Sequence, residues 1–136
     1  MLLNKPLIIK PKVQRKGEYT MLIRSYDKSV TLLIEHSKKS RHFQKDRIAR
    51  YHKILSLEKI PVIDKSFLVD NGHEKGAEIH CVSTHGIIYI YNQKSRKLVT
   101  MIIARPNRIK RLYDSVGENA PSEILQEAKN NNIKRK

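Results

Sequence analysis

The chain has few cysteines and few acidic residues, and its few glycines are dispersed. Cys81 is the only cysteine among 136 residues, so neither an intrachain disulfide nor a cysteine-based zinc frame can form. The five glycines are scattered, and none builds a loop of the kind that cradles phosphates. These shortages exclude zinc fingers and nucleotide hydrolases with a glycine-rich loop.

Long hydrophobic runs are also missing. Residues 1–10 are apolar for only a few positions before the sequence turns basic, which is too short for a secretion signal or a membrane span. A single cysteine agrees with a reducing compartment. We therefore expect a cytoplasmic protein that does not contact membranes and needs no cofactor.

Positive charge is what the chain has in excess. Lysine and arginine number 28 against 13 aspartate and glutamate, which gives a formal charge of +15. The excess runs through both halves of the sequence, so no single tail explains it. A polyanion is the natural partner, and RNA or another nucleic acid is the first candidate.

The sequence predicts one α+β domain over residues 1–136, because 39% of residues are hydrophobic and cluster into runs. An antiparallel β-sheet meander is expected, with a basic amphipathic helix and C-terminal helices packed on one face. Residues 30–34 fit either a strand or a helix. The expected segments are N-terminal β segments over 1–26, the basic helix over 38–57, the sheet over 77–104, C-terminal helices over 107–129 and a mobile tail over 130–136.

The predicted basic helix is the best indication of nucleic-acid binding. Ile48, Tyr51 and Leu55 have the spacing of one helical face. The other side is almost purely cationic, whereas solvated faces usually mix signs. The predicted binding residues there are Lys38, Lys39, Arg41, Lys45, Arg47 and Arg50.

Glu78 and His80 are the candidate catalytic pair. Side chains alternate across a strand, so these two share one face, while Ile79 and Cys81 share the other and should point into the core. On an open sheet face, a carboxylate and an imidazole can act as general base and acid in cleaving an RNA phosphodiester. Ordinary polar residues on a solvated face are the plain alternative.

His73 lies close to this pair in sequence and is a further catalytic candidate. Together with Glu78 and His80 it supplies two imidazoles and one carboxylate, but the spacing matches no zinc motif. We therefore predict no metal site.

Further candidates surround the sheet. Arg105 and Thr100 are possible active-site residues, although the strand alternation puts them on opposite faces unless a bulge intervenes. Tyr89 and Tyr91 share a face where bases could stack, but tyrosines on strands more often pack. Cations that could hold phosphate are Lys75, Arg108 and Arg111.

The stretches Gly76 to His80, Gly86 to Asn92, Lys97 to Thr100 and Ile103 to Arg111 resemble phage-associated nucleases of the barnase/EndoU/colicin/RelE-type superfamily. The likeness covers about residues 60–113. It implies a metal-independent ribonuclease, in many members a toxin held by an antitoxin or immunity partner. It also implies an active site at Glu78, His80, Thr100 and Arg105.

The leading hypothesis is thus a small basic endoribonuclease, toxin-like or phage-encoded. A non-enzymatic nucleic-acid-binding protein is the first alternative. The second is a basic phage protein that binds and inhibits an acidic host protein.

Overall fold

A computed structural model describes residues 22–36, 38–39, 61–70 and 76–134. They form a six-stranded, mostly antiparallel sheet with helices, which confirms the predicted α+β class. In chain order the elements are β1 (Leu22–Ser25), α1 (Thr31–His36), β2 (Lys38–Lys39), β3 (Ile63–Asp70), β4 (Glu78–Ser83), β5 (Ile87–Asn92), β6 (Lys97–Ile103), α2 (Pro106–Ser115) and α3 (Ser122–Lys134).

The strands lie in the order β1-β3-β4-β5-β6-β2. Neighbours pair antiparallel except β2, which runs parallel to β6. The expected meander is present as β4, β5 and β6, because the turns between them are short enough to reverse the chain directly. Strand β3 extends it on the other side of β4.

Both faces of the sheet are buried. One core joins Phe67, Val82 and Ile88 of the sheet to residues of α2 and α3. The second core lies on the opposite face, where Cys81 packs with Ile34 of α1 and other apolar residues. The expectation that one face stays open is therefore wrong, because the apolar run at 30–34 is largely helical and covers that face.

Helix α2 crosses the sheet from the end of β6 toward β3. Pro106 at its first turn fits a helix start, and Ile109, Leu112 and Tyr113 have the spacing of one buried face. The Tyr113 hydroxyl donates a hydrogen bond of 2.6 Å to Asp64. Its ring meets the ring of Phe67 edge-on at 5.1 Å, which fixes the helix over β3.

Helix α3 replaces most of the predicted mobile tail. It continues to Lys134, since two asparagine side chains near its end tie it to the body of the protein. Asn131 donates to the carbonyl of His85 at 2.6 Å, and Asn132 donates to the carbonyl of Ala104 at 2.9 Å. No helix within the described residues is both long and apolar enough to cross a membrane.

The structure also differs from the sequence prediction at the start of the basic helix. Lys38 and Lys39 form the short edge strand β2 rather than the first turn of a helix. Residues 40–57 lie outside the described part of the chain. Within the predicted N-terminal β region over 1–26, Leu22–Ser25 forms β1, and residues 1–21 lie outside the described residues.

Candidate functional site

Strand β4 brings Glu78 and His80 together on one face. The Nε2 atom of His80 lies 3.1 Å from Oε1 of Glu78. This face carries Val82 as well and is the one that α2 and α3 cover, so the pair is not on an open surface. His80 is 7% exposed, whereas the Glu78 side chain is 32% exposed.

The His80 ring presents no free nitrogen to solvent. Nε2 is engaged by Glu78, and Nδ1 is buried without a hydrogen-bond partner. An ionised carboxylate only accepts hydrogen bonds, so a charged Glu78 requires the proton on Nε2. Because neither nitrogen can reach a substrate in this arrangement, the geometry does not favour His80 as the general acid. Solvent reaches Glu78 instead, and His80 holds its carboxylate in place.

Arg108 of α2 lies near the pair, because its charge interacts with that of Glu78. Arg108 and Arg111 are three residues apart and therefore project from neighbouring positions on the helix. Partial burial and the charge of Arg111 lower the pKa of Arg108, and the carboxylate of Glu78 opposes this effect. The side of α2 nearest Glu78 is thus cationic.

The turn between β5 and β6, together with the first residue of β6, adds three exposed cations at the same end of the sheet as Glu78. Asn92, the last residue of β5, is the Cα partner of both Glu78 and Lys97. Gly76, just before β4, packs against Lys94, since a Cβ atom placed on it would lie 2.8 Å from that of Lys94. We call the five residues Lys94, Arg96, Lys97, Arg108 and Arg111 the basic rim.

Sequence reasoning missed the turn residues of the basic rim. The signal was a stretch without acids: residues 93–113 contain no aspartate or glutamate.

Thr100 and Arg105 do not join Glu78 and His80. In the sheet, Ile90 lies between His80 and Thr100, which puts their backbones about 10 Å apart. The Thr100 hydroxyl donates to the carbonyl of Met101 at 3.3 Å. Arg105 follows β6 at its far end, where Ile103 pairs with Ile87.

A bulge explains the register of β6. Ile90 pairs with Thr100 and Tyr91 pairs with Leu98, so Val99 is an extra residue. As a result Leu98 faces the α1 side, although strict alternation along a strand would put it on the same face as Thr100.

The tyrosines predicted as stacking platforms are core residues. Tyr89 is 3% exposed and Tyr91 is 8% exposed, and both belong to the core on the α1 side of the sheet. A base cannot stack on them in this fold. The packing alternative is the one the structure shows.

The remaining predicted residues divide into two groups. Lys38 is exposed on β2 and is the Cα partner of Lys97, while Lys39 is half-buried. The others lie outside the described residues: His73, Lys75, Arg41, Lys45, Arg47 and Arg50.

No metal site is assigned. In the part of the chain that the structure describes, no group of three histidine, cysteine, aspartate or glutamate side chains comes together to hold an ion. A cavity of about 490 Å³ lies between residues 26–31 and 61–66, and none of the predicted site residues lines it.

The chain matches no protein-family model, no curated protein and no solved structure. The fold and the site define a strongly basic α+β protein with one partly exposed carboxylate, that of Glu78, near Arg108 of α2.

Proposed function

We propose that this protein is a cytoplasmic nucleic-acid-binding protein whose basic rim holds the phosphate backbone. The observation that carries the proposal is the separation of charge along the C-terminal half. Residues 93–113 carry seven lysines and arginines with no acid, and residues 114–127 carry four acids with no lysine or arginine. The seven cations are Lys94, Arg96, Lys97, Arg105, Arg108, Lys110 and Arg111.

Grouping like charges in this way is electrostatically unfavourable in the free protein. Protein surfaces ordinarily intersperse the two signs, and like charges on paired strand positions repel each other. Lys38 and Lys97 are such a pair, and Arg108 and Arg111 repel each other on α2. A polyanion relieves this repulsion and releases its condensed counterions on binding, which favours association.

Replacement of α2 arginines tests the proposal. The double variant Arg108→Gln with Arg111→Gln should bind a labelled oligonucleotide on the order of 10-fold to 100-fold more weakly at low salt, since two phosphate contacts are lost. A matched control with the same change in net charge is Lys28→Gln with Lys129→Gln, which removes two exposed cations outside the basic rim and outside residues 93–113. Equal binding by both double variants contradicts the assignment of the surface.

Glu78 supports a second candidate function, a metal-independent endoribonuclease. Its carboxylate is partly exposed, receives a hydrogen bond from His80 and faces Arg108. In this proposal Glu78 accepts the proton of the ribose 2′-hydroxyl while the 2′-oxygen attacks phosphorus. The bond from phosphorus to the 5′-oxygen breaks, the 5′-oxygen takes a proton from water, and a 2′,3′-cyclic phosphate remains. Arg108 stabilises the charge on the phosphate. A toxin-like role, with a neutralising partner, belongs to this second proposal.

Cleavage of labelled RNA in excess chelator tests the second candidate. Wild-type protein should cut the RNA, and Glu78→Gln should lower the rate by about 100-fold or more, because the general base is lost. Glu123→Gln, an exposed acid on α3, is the matched control and should keep full activity. Intact RNA after incubation with pure wild-type protein contradicts the nuclease proposal and leaves the binding proposal standing.

A further inference from the structure

The turn between β5 and β6 is held rigidly by one asparagine. Oδ1 of Asn92 accepts hydrogen bonds from the backbone N–H groups of Lys94 at 3.0 Å and Ser95 at 2.8 Å. The backbone carbonyl of Asn92 accepts a third from the N–H of Arg96 at 2.9 Å. Three bonds to one residue fix the backbone of the turn, so the side chains it carries project from a defined platform.

Arg96 closes this turn in a conformation that does not suit arginine. Its φ is 58°, in the left-handed region, and among the described residues it is the only non-glycine with positive φ. Glycine or asparagine is the usual residue at such a position in a hairpin, because a larger side chain is strained there. Formation of the turn therefore does not explain an arginine at this position.

The surroundings of Arg96 are cationic on both sides. Lys97 follows it on β6 and is paired with the exposed Lys38 of β2 at the edge of the sheet. On the other side the turn reaches Gly76, which precedes β4 close to Glu78, and the charge of Glu78 interacts with that of Arg108 on α2. Arg96 thus lies between the α2 part of the basic rim and the edge strand.

We propose that Arg96 is a phosphate-binding residue that continues the nucleic-acid track from α2 across the β5–β6 turn to Lys38 on β2. This inference rests on the proposed nucleic-acid binding. The planar guanidinium donates two hydrogen bonds to the non-bridging oxygens of one phosphodiester. Because the turn is already ordered in the free protein, little backbone entropy is lost on binding. In this proposal the strained backbone at Arg96 is tolerated because it places the guanidinium for the phosphate contact.

Three substitutions at one position separate this role from a structural one. Arg96→Asn and Arg96→Gly remove the guanidinium and suit the left-handed backbone, whereas Arg96→Lys keeps a positive charge. Binding to a labelled single-stranded RNA and to a labelled duplex is measured as a function of salt. The matched control is Lys129→Gln, which removes one exposed positive charge from α3.

Arg96→Asn should bind about 5-fold to 10-fold more weakly than wild type at low salt and lose roughly one unit of salt slope, the value for one phosphate contact. Its melting temperature should stay equal or rise by a few degrees, because the strain is relieved. Arg96→Lys should recover most of the affinity. The two ligands show whether the phosphates come from a single strand or a duplex.

If Arg96→Asn and Lys129→Gln bind both ligands with equal affinity, the inference about Arg96 is overturned. The proposed function still stands in that case, provided that the wild-type protein binds. A fall in melting temperature that accounts for the lost affinity also overturns it, since Arg96 would then be structural. If the wild-type protein binds neither the single-stranded RNA nor the duplex, the inference and the proposed function are overturned together.

Discussion

Neighbouring residues of β4 have opposite environments. His80 faces α2 and α3 and is held by Glu78, while Cys81 faces the α1 side and is buried completely. Burial raises the pKa of the Cys81 thiol to about 11, and a hydrogen bond with Ser66 acts in the opposite direction. The thiol is therefore protonated in the native protein at neutral pH.

The raised pKa of Cys81 predicts a pH dependence of stability. The thiol of the unfolded chain ionises near 9.0, and that of the folded chain near about 11. The native state therefore binds the proton more tightly, and its contribution is present below pH 9 and is lost as pH rises toward 11. Between pH 8 and 10 the free energy of unfolding of wild type should fall by about 1 kcal/mol more than that of Cys81→Ala.

Urea unfolding of both proteins at the two pH values measures this difference. Other groups that titrate in this range contribute equally to both proteins and cancel in the comparison. Parallel loss of stability in wild type and Cys81→Ala contradicts the burial argument.

At the residue scale, the sequence predicts which side chains lie close together better than it predicts how exposed each side chain is. The period of two along a strand was sufficient to pair Glu78 with His80. It could not show that α2 lies over that face, since the path of a helix across a sheet depends on long-range contacts such as that of Tyr113 with Asp64. The path of α2 buries His80, and because His80 is buried, the structure does not favour it as a general acid.

At the element scale, two glycines with similar backbones play different roles. Gly86 has φ of 78° in the β4–β5 turn, and Gly117 has φ of 75° after α2. A Cβ atom on Gly86 would lie 2.8 Å from the backbone nitrogen of Ala128, whereas one on Gly117 would have no neighbour within 4 Å. Gly86 thus allows α3 to approach the sheet closely.

Alanine substitution should separate these roles. Gly117→Ala should cost about 1 kcal/mol of stability, the strain of a left-handed residue. Gly86→Ala should cost roughly 3 kcal/mol or more, because α3 must also move away from the turn. Denaturant unfolding measures both values, and similar losses for the two variants contradict the close packing of α3.

The elements that local sequence signals specify were predicted well. The meander of β4, β5 and β6 follows from apolar alternation between turn residues, and α2 follows from Pro106 and its apolar spacing. The bulge at Val99 and the parallel pairing of β2 have no local signal. The end of α3 was misjudged because a run of asparagines favours a loop, and only contacts with His85 and Ala104 keep Asn131 and Asn132 helical.

At the scale of the whole molecule, charge separation is the organising feature. Arg108 of the basic rim lies near the exposed carboxylate of Glu78, and the acids of residues 114–127 follow in sequence from the end of α2 into α3. A molecule with such an uneven charge distribution has an electric dipole moment, which can orient it toward a polyanion before contact.

The most direct test is the salt dependence of wild-type binding to a labelled oligonucleotide. If the five cations of the basic rim each contact a phosphate, the logarithm of the association constant should fall linearly with the logarithm of salt concentration, with a slope of about −4.5 for a duplex. Absence of binding at low salt, or an affinity that does not change with salt, contradicts the account.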